Sequence, residues 1–210
     1  MEIDEARARM REIQRIMETA TLFTLLPGTA AVIGGVLVFL GCGASYWFLN
    51  SFDFAEITRL SVPGRVTFCL MWFTIALASV AVNVLLTVRL AARQRIALNP
   101  RPAQVAMFAL TPCVVVASVL TFQFLMEWQS REIRYIAPVW LMLYGTGVYT
   151  AGLFSIRAPR VLGLAFLLMG IVALLCFPCY GVISVGMSFG LLHVMFGAYV
   201  LRKQRQVAAQ

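Results

Sequence analysis

Six long apolar runs occupy most of this 210-residue chain, and they restrict it to folds that cross a membrane. A helix rises about 1.5 Å per residue, so roughly 20 apolar residues span a hydrocarbon core about 30 Å thick. The approximate bounds of the runs are 27–49, 66–90, 104–126, 135–156, 160–177 and 180–201. We therefore predict an all-α integral membrane protein with six transmembrane helices in one bundle.

Composition supports the same class of protein. Hydrophobic residues make up 61% of the chain and charged residues 12%, against about 45–50% and 25% in soluble domains. The spans leave no room for a separate soluble domain. The predicted organisation is a cytoplasmic amphipathic helix over 1–25, a transmembrane domain over 26–203 and a short cytoplasmic tail over 204–210.

The basic residues alternate from one loop to the next and predict the orientation. Thirteen of the 17 lie on one side: Arg7, Arg9, Arg11, Arg15, Arg89, Arg93, Arg95, Arg101, Arg157, Arg160, Arg202, Lys203 and Arg205. The other side has only Arg59, Arg65, Arg131 and Arg134, mixed with four acids. Basic loops stay cytoplasmic during insertion, so both termini are predicted to face the cytoplasm. The net charge of +8 is explained by this bias and by anionic lipid, so no nucleic-acid partner is predicted.

The first 25 residues carry a heptad-like stripe. Its members alternate at spacings of three and four: Ile3, Ala6, Met10, Ile13, Met17 and Ala20. One interpretation is an amphipathic helix lying on the membrane surface or on the protein's own loops. The other is a helix that joins two copies of the chain, or a protein partner, through residues 3–20.

Cys176 and Cys179 form the one recognised cysteine spacing, in the short turn between the last two spans. Pro178 suits the first position of the sixth helix, whose dipole would favour a thiolate at Cys176. The Cys-x-Pro-Cys order resembles the thioredoxin active site, and its predicted place resembles quinone-linked disulfide-forming membrane enzymes. The second cysteine pair of those enzymes is missing, so a structural disulfide or a plain apolar turn stays open.

His193 is the single histidine, and it lies in the sixth span with three glycines at helical spacing. Gly186, Gly190 and Gly197 are predicted to share a face with His193 and to let a neighbouring helix approach closely. His193 is then predicted to point into the bundle. Its role is either that of a ligand or proton-sensitive group, or an interhelical hydrogen bond.

Several kinds of chemistry are excluded or disfavoured by the residues present. One histidine cannot form a bis-His haem site or a typical zinc site, so no metal and no cofactor are predicted. The single lysine, Lys203, lies in the tail, which excludes a retinal-type Schiff base within a span. Asn83 and Gln123 are the remaining polar candidates for binding, either to neighbouring helices or to a solute.

Part of the sequence looks like a family of uncharacterised bacterial inner-membrane proteins. The stretches that carry the resemblance are Trp140–Gly145, Gly152–Arg157, Gly163–Phe166 and Gly190–Gly197, together with the amphipathic segment leading into the first span. The resemblance implies a six-span fold in the bacterial cytoplasmic (inner) membrane. It implies no catalytic residues.

These observations favour a non-enzymatic subunit or regulatory partner of a membrane complex. Two alternatives stay open. The first is a thiol–disulfide oxidoreductase that uses Cys176 and Cys179 at the periplasmic face. The second is a small channel or carrier for a neutral or apolar solute, which predicts a polar cavity near Asn83, Gln123 and His193.

Overall fold

The computed structural model describes residues 5, 9–10, 28–94, 100–126, 131–153 and 157–208, and these are almost entirely helical. The long elements in chain order are α1 (Gly28–Leu49), α2 (Val62–Gln94), α3 (Pro100–Met126), α4 (Ile136–Leu153) and α5 (Arg157–Cys176). They are followed by α6 (Gly181–Val185), a π-helical segment (Gly186–Leu192) and α7 (His193–Ala208), which together form the sixth span. Among the described residues, six helices are long and apolar enough to cross a membrane. The all-α, six-span prediction is confirmed, and the chain is a multi-pass membrane protein.

Two helices contain prolines at positions where a spanning helix tolerates them. α2 has 33 residues and begins before the predicted run, because Pro63 lies in the first turn, where a missing N–H group breaks no intrahelical bond. α3 continues through Pro112. Spanning helices tolerate an interior proline because neighbouring groups satisfy the freed carbonyl.

Close approach at glycines holds α1 against the sixth span. A Cβ atom at Gly28 would lie 2.8 Å from the carbonyl oxygen of Gly197. A Cβ atom at Gly35 would lie 2.6 Å from the carbonyl oxygen of Gly190. These backbone contacts leave no room for a side chain, and their order along the two helices is antiparallel.

A second pair of helices, α4 and α5, packs in the same manner. A Cβ atom at Gly145 would lie 2.9 Å from the carbonyl oxygen of Gly163, and a Cβ atom at Gly163 would collide with the backbone of Tyr149. Small residues at such positions let two helix backbones come within van der Waals distance. The glycines at seven-residue spacing in α1 and α5 are therefore packing seams.

α2 and α3 lie at the edges of the bundle. α2 packs on α1, where Trp72 Nε1 donates a hydrogen bond of 3.0 Å to the buried hydroxyl of Ser45. α3 packs on α4, where Trp140 Nε1 donates a hydrogen bond of 2.8 Å to Thr121 Oγ1. None of the most apolar stretch of α2 is buried within the chain. The membrane surface of the protein is therefore largely built by these two helices.

Three short 3₁₀ helices pack together at one end of the bundle, which we name the capped end. They are Phe54–Arg59, Arg131–Tyr135 and Pro178–Tyr180. A hydrophobic core lies beneath them, formed by Leu49, Phe54, Ile57, Phe68, Ile133, Ala137, Val182 and Val185. Arginines lie at the opposite end, which we name the basic end. They include Arg89, Arg157 and Arg202.

Candidate functional site

His193 forms a hydrogen-bonded pair with Tyr144 in the interior of the bundle. The Tyr144 hydroxyl lies 3.0 Å from His193 Nε2, across the contact between α4 and the start of α7. Among the described residues, His193 Nδ1 is shielded from the surface and has no hydrogen-bond partner of good geometry. The backbone groups of Ser188 and Phe189 approach the ring without forming a hydrogen bond to Nδ1.

Aromatic rings surround this polar pair. The Phe189 ring is nearly parallel to the imidazole, with centroids 6.0 Å apart and an interplanar angle of 9°. The fully buried Phe166 meets the imidazole edge-on at 5.3 Å and the Tyr144 ring at 4.9 Å. Tyr144 and His193 therefore form an interhelical hydrogen bond that joins α4 to the sixth span, and the aromatic rings pack around it. His193 thus takes part in a contact between helices, and its role as a ligand or proton-sensitive group stays a prediction.

His193 faces α4 and α5, whereas the three glycines of the sixth span face α1. Gly190 contacts Phe39, and Gly197 contacts Gly28. A Cβ atom at Gly186 would lie 3.5 Å from the sulfur of Cys42, on the same side. Helical periodicity predicts one face for all four residues, but the His193 ring contacts Tyr144 and Phe166 beside the glycine face. The segment before His193, Gly186–Leu192, is π-helical.

Cys176 and Cys179 are both exposed at the capped end, and both thiols are free. Cys176 is the last residue of α5, and Pro178 starts the short helix that contains Cys179. Cys42 belongs to a different environment, because its thiol donates to the carbonyl oxygen of Val182 at 3.4 Å. The structure therefore presents the Cys-x-x-Cys turn at the surface.

Asn83 and Gln123 lie apart from His193 and from each other. Both are exposed, Asn83 on α2 and Gln123 on α3. Asn83 lies six residues before Arg89 at the basic end, whereas Gln123 lies in the last turn of α3 at the capped end. The two amides are thus at different depths and on outer surfaces. The polar cavity that a channel would need around these three residues is not formed by this placement.

Sequence reasoning missed an ion pair at the capped end. Arg134 Nη2 lies 3.2 Å from Asp53 Oδ2, and the two side chains are only 21% and 12% exposed. Asp53 Oδ1 also accepts a hydrogen bond of 2.9 Å from the N–H of Ala55 at the start of the first 3₁₀ helix. The charge pattern of the sequence indicates the membrane orientation, but it contains no signal that shows which loop residues pair.

An apolar groove of about 530 Å³ runs between α5 and the sixth span at the capped end. Its walls include Leu168, Val172, Phe177, Ile183 and Met187. No group of three or more histidine, cysteine, aspartate or glutamate side chains suited to a metal occurs in the part of the chain that the structure describes. The groove therefore offers a mostly apolar contact surface, with Tyr180 and Ser184 as its hydroxyl-bearing lining residues.

Comparison of the sequence with protein-family models, with curated proteins and with solved structures found no match.

Proposed function

We propose that this membrane protein works by association, as a non-enzymatic subunit or regulatory partner of a membrane complex. The observation that carries the proposal is the outward placement of Asn83 on α2. An amide exposed to hydrocarbon is unfavourable unless another chain supplies a partner, because lipid tails offer no hydrogen bonds. The one histidine of the spans is already engaged with Tyr144. The exposed amide of Asn83 therefore favours contact with another protein over a reaction inside the bundle.

Residues 3–20 are the second proposed element of association. Most of this segment lies outside the described residues. Glu5, Arg9 and Met10 are helical. Arg9 Nη2 pairs with Glu5 Oε1, one helical turn away, at 2.9 Å. The regular apolar stripe supports a docking helix at the cytoplasmic side. This location follows from the proposed topology, in which both termini are cytoplasmic.

Deletion of residues 1–25 tests the proposed association. Extraction of the full-length chain with its surrounding lipid should yield a particle with a polypeptide mass above the 23.3 kDa of one chain. The deletion variant should lose proteins that co-purify with the full-length chain. A full-length particle of 23.3 kDa, with no partner, would contradict the proposal.

The proposed location is the bacterial cytoplasmic membrane, with the capped end facing the periplasm. The basic end supports this orientation, because Arg89, Arg93, Arg157 and Arg160 cluster there. Trp47, which is 80% exposed near the end of α1, fits the interfacial region at the capped end. The resemblance of Gly190–Gly197 and its companion stretches to bacterial inner-membrane proteins supports the choice of membrane.

A thiol–disulfide oxidoreductase is the second candidate function. The exposure of both Cys176 and Cys179 favours it, because a reactive thiol must be reached by its partner. Pro178 begins a three-residue 3₁₀ helix, so the two cysteines lie in one short turn. A redox role requires the two thiols to form a disulfide reversibly, with two electrons and two protons passing to an acceptor.

Thiol labelling of intact cells tests both the orientation and this second candidate. A membrane-impermeant maleimide should modify Cys176 and Cys179 without lysis, because both are exposed at the capped end. The variant with both cysteines replaced by serine should lose the label, since Cys42, Cys69 and Cys113 are partly buried in spans. Labelling only after lysis would reverse the proposed orientation. An unchanged cellular redox phenotype in the double variant would remove the oxidoreductase.

A further inference from the structure

Asn83 is the one asparagine within an apolar span of this chain, and its depth is well inside the hydrocarbon core. The other two asparagines, Asn50 and Asn99, lie outside the predicted apolar runs. Along the axis of α2, Asn83 is about 9 Å from Arg89 and about 27 Å from Arg65, at 1.5 Å per residue. These two arginines approach opposite interfaces. The amide is thus at a level where water does not reach it.

The chain itself offers Asn83 little compensation. Within the described residues, its side chain contacts Thr87, whose hydroxyl lies 3.4 Å from Asn83 Oδ1. The same hydroxyl already donates a shorter bond of 2.8 Å to the backbone carbonyl of Asn83. Asn83 is exposed on α2, and among the described residues its amide N–H groups donate no hydrogen bond.

Residues that share this face of α2 permit a second helix to come close. They recur at spacings of four, three and four: Ala76, Val80, Asn83 and Thr87. Each is small or β-branched apart from Asn83 itself, so the face is narrow and loses little side-chain freedom on contact. α1 occupies the adjacent face, where Ser79 approaches Gly34. A helix on the Asn83 face would lie beside α1 without displacing it.

We infer that α2 of one protomer pairs with α2 of a second copy of this chain, with the two Asn83 amides hydrogen-bonded across a two-fold axis. The inference rests on the proposed function and names the partner. A carboxamide both donates and accepts, so it is complementary to an identical group. A two-fold axis brings the same residue of each copy to the centre of the contact. The amide is then satisfied on both sides by one symmetric contact.

Disulfide cross-linking in native membranes tests this pairing in the full-length chain. The five native cysteines are replaced by alanine, and single cysteines are introduced at Val80, at Thr87 and at Leu85. Leu85 is the matched control, because it is 48% exposed at the same depth but points away from the Asn83 face. With a copper–phenanthroline oxidant, Val80→Cys and Thr87→Cys should form dimers of the chain, and Leu85→Cys should not. Equal cross-linking at all three positions would overturn the inference.

Substitution of Asn83 supplies a second readout. Asn83→Leu should lower the dimer association constant about three- to fifteen-fold, the range of measured interhelical hydrogen bonds in membranes. Asn83→Gln keeps the amide and should retain most of the association. An unchanged association constant for Asn83→Leu would overturn the amide pairing.

The outcomes separate this inference from the proposed function. A single chain of 23.3 kDa in the extracted particle would contradict both. A cross-link from Val80→Cys to a different polypeptide, or a larger particle without cross-links at Val80→Cys and Thr87→Cys, would overturn the second copy while leaving association intact.

Discussion

Replacing Arg134 with methionine is expected to lower the free energy of unfolding by about 3 kcal/mol, the lower end of the range for breaking a buried ion pair. The change leaves Asp53 largely buried, with Oδ1 still bonded to Ala55 and Oδ2 without its cation. Because Asp53 also caps the first 3₁₀ helix, the loss of its ion pair should loosen the whole capped end. The midpoint of thermal unfolding in detergent, followed by intrinsic tryptophan fluorescence, measures the effect.

Two further variants show whether the effect comes from an uncompensated charge. Asp53→Asn combined with Arg134→Met removes both charges and keeps an oxygen for Ala55, so most of the stability should return. It also removes Arg134 Nε, which has no hydrogen-bond partner among the described residues. Arg59→Met breaks the pair with Glu56, in which Arg59 is 79% exposed, and should cost at most about 1 kcal/mol. A double variant as unstable as Arg134→Met alone would contradict this account.

Replacing Gly35 with alanine is expected to destabilise the protein by about 1–3 kcal/mol, the usual cost of overpacking. The added methyl group would lie 2.6 Å from the carbonyl oxygen of Gly190 and 2.7 Å from Val194 Cγ2. A backbone atom cannot move aside alone, so α1 must separate from the sixth span. Thermal unfolding of the purified variant measures this cost.

Gly34 is the matched control, because it is the adjacent residue in the same helix. The nearest atom to a Cβ there is Ser79 Oγ at 3.8 Å, an ordinary contact. Gly34→Ala should be neutral or should stabilise the protein by up to about 1 kcal/mol, the difference in helix propensity between the two residues. Equal effects at the two positions would show that close helix approach does not explain the requirement at Gly35.

The six spans could be predicted because each depends on a local property, namely a run of apolar residues long enough to cross a bilayer. The partners of the spans could not. The seven-residue spacing of Gly28 and Gly35 indicates a seam, but only the three-dimensional arrangement shows that Gly197 and Gly190 lie against it. Asp53 and Arg134 are likewise far apart in sequence, and no local pattern relates them.

The candidate site was predicted in part. Helical periodicity predicts that His193 lies inside the bundle on the same face as Gly190. The ring contacts Tyr144 and Phe166 beside that face, and the helices that lie there are a property of the packed fold. The sequence shows that Asn83 lies in an apolar span, but it does not show which side of that helix other helices cover. Asn83 is exposed because α2 lies at the edge of the bundle, and edge position is a property of the packed fold.

The polypeptide mass of the particle that carries the full-length chain, extracted from native membranes with its lipid, tests association most directly. We expect a polypeptide mass above 23.3 kDa, and a mass of twice 23.3 kDa if α2 pairs with a second copy. A particle with a single chain of 23.3 kDa and no other polypeptide, at the concentration found in the membrane, would contradict the account.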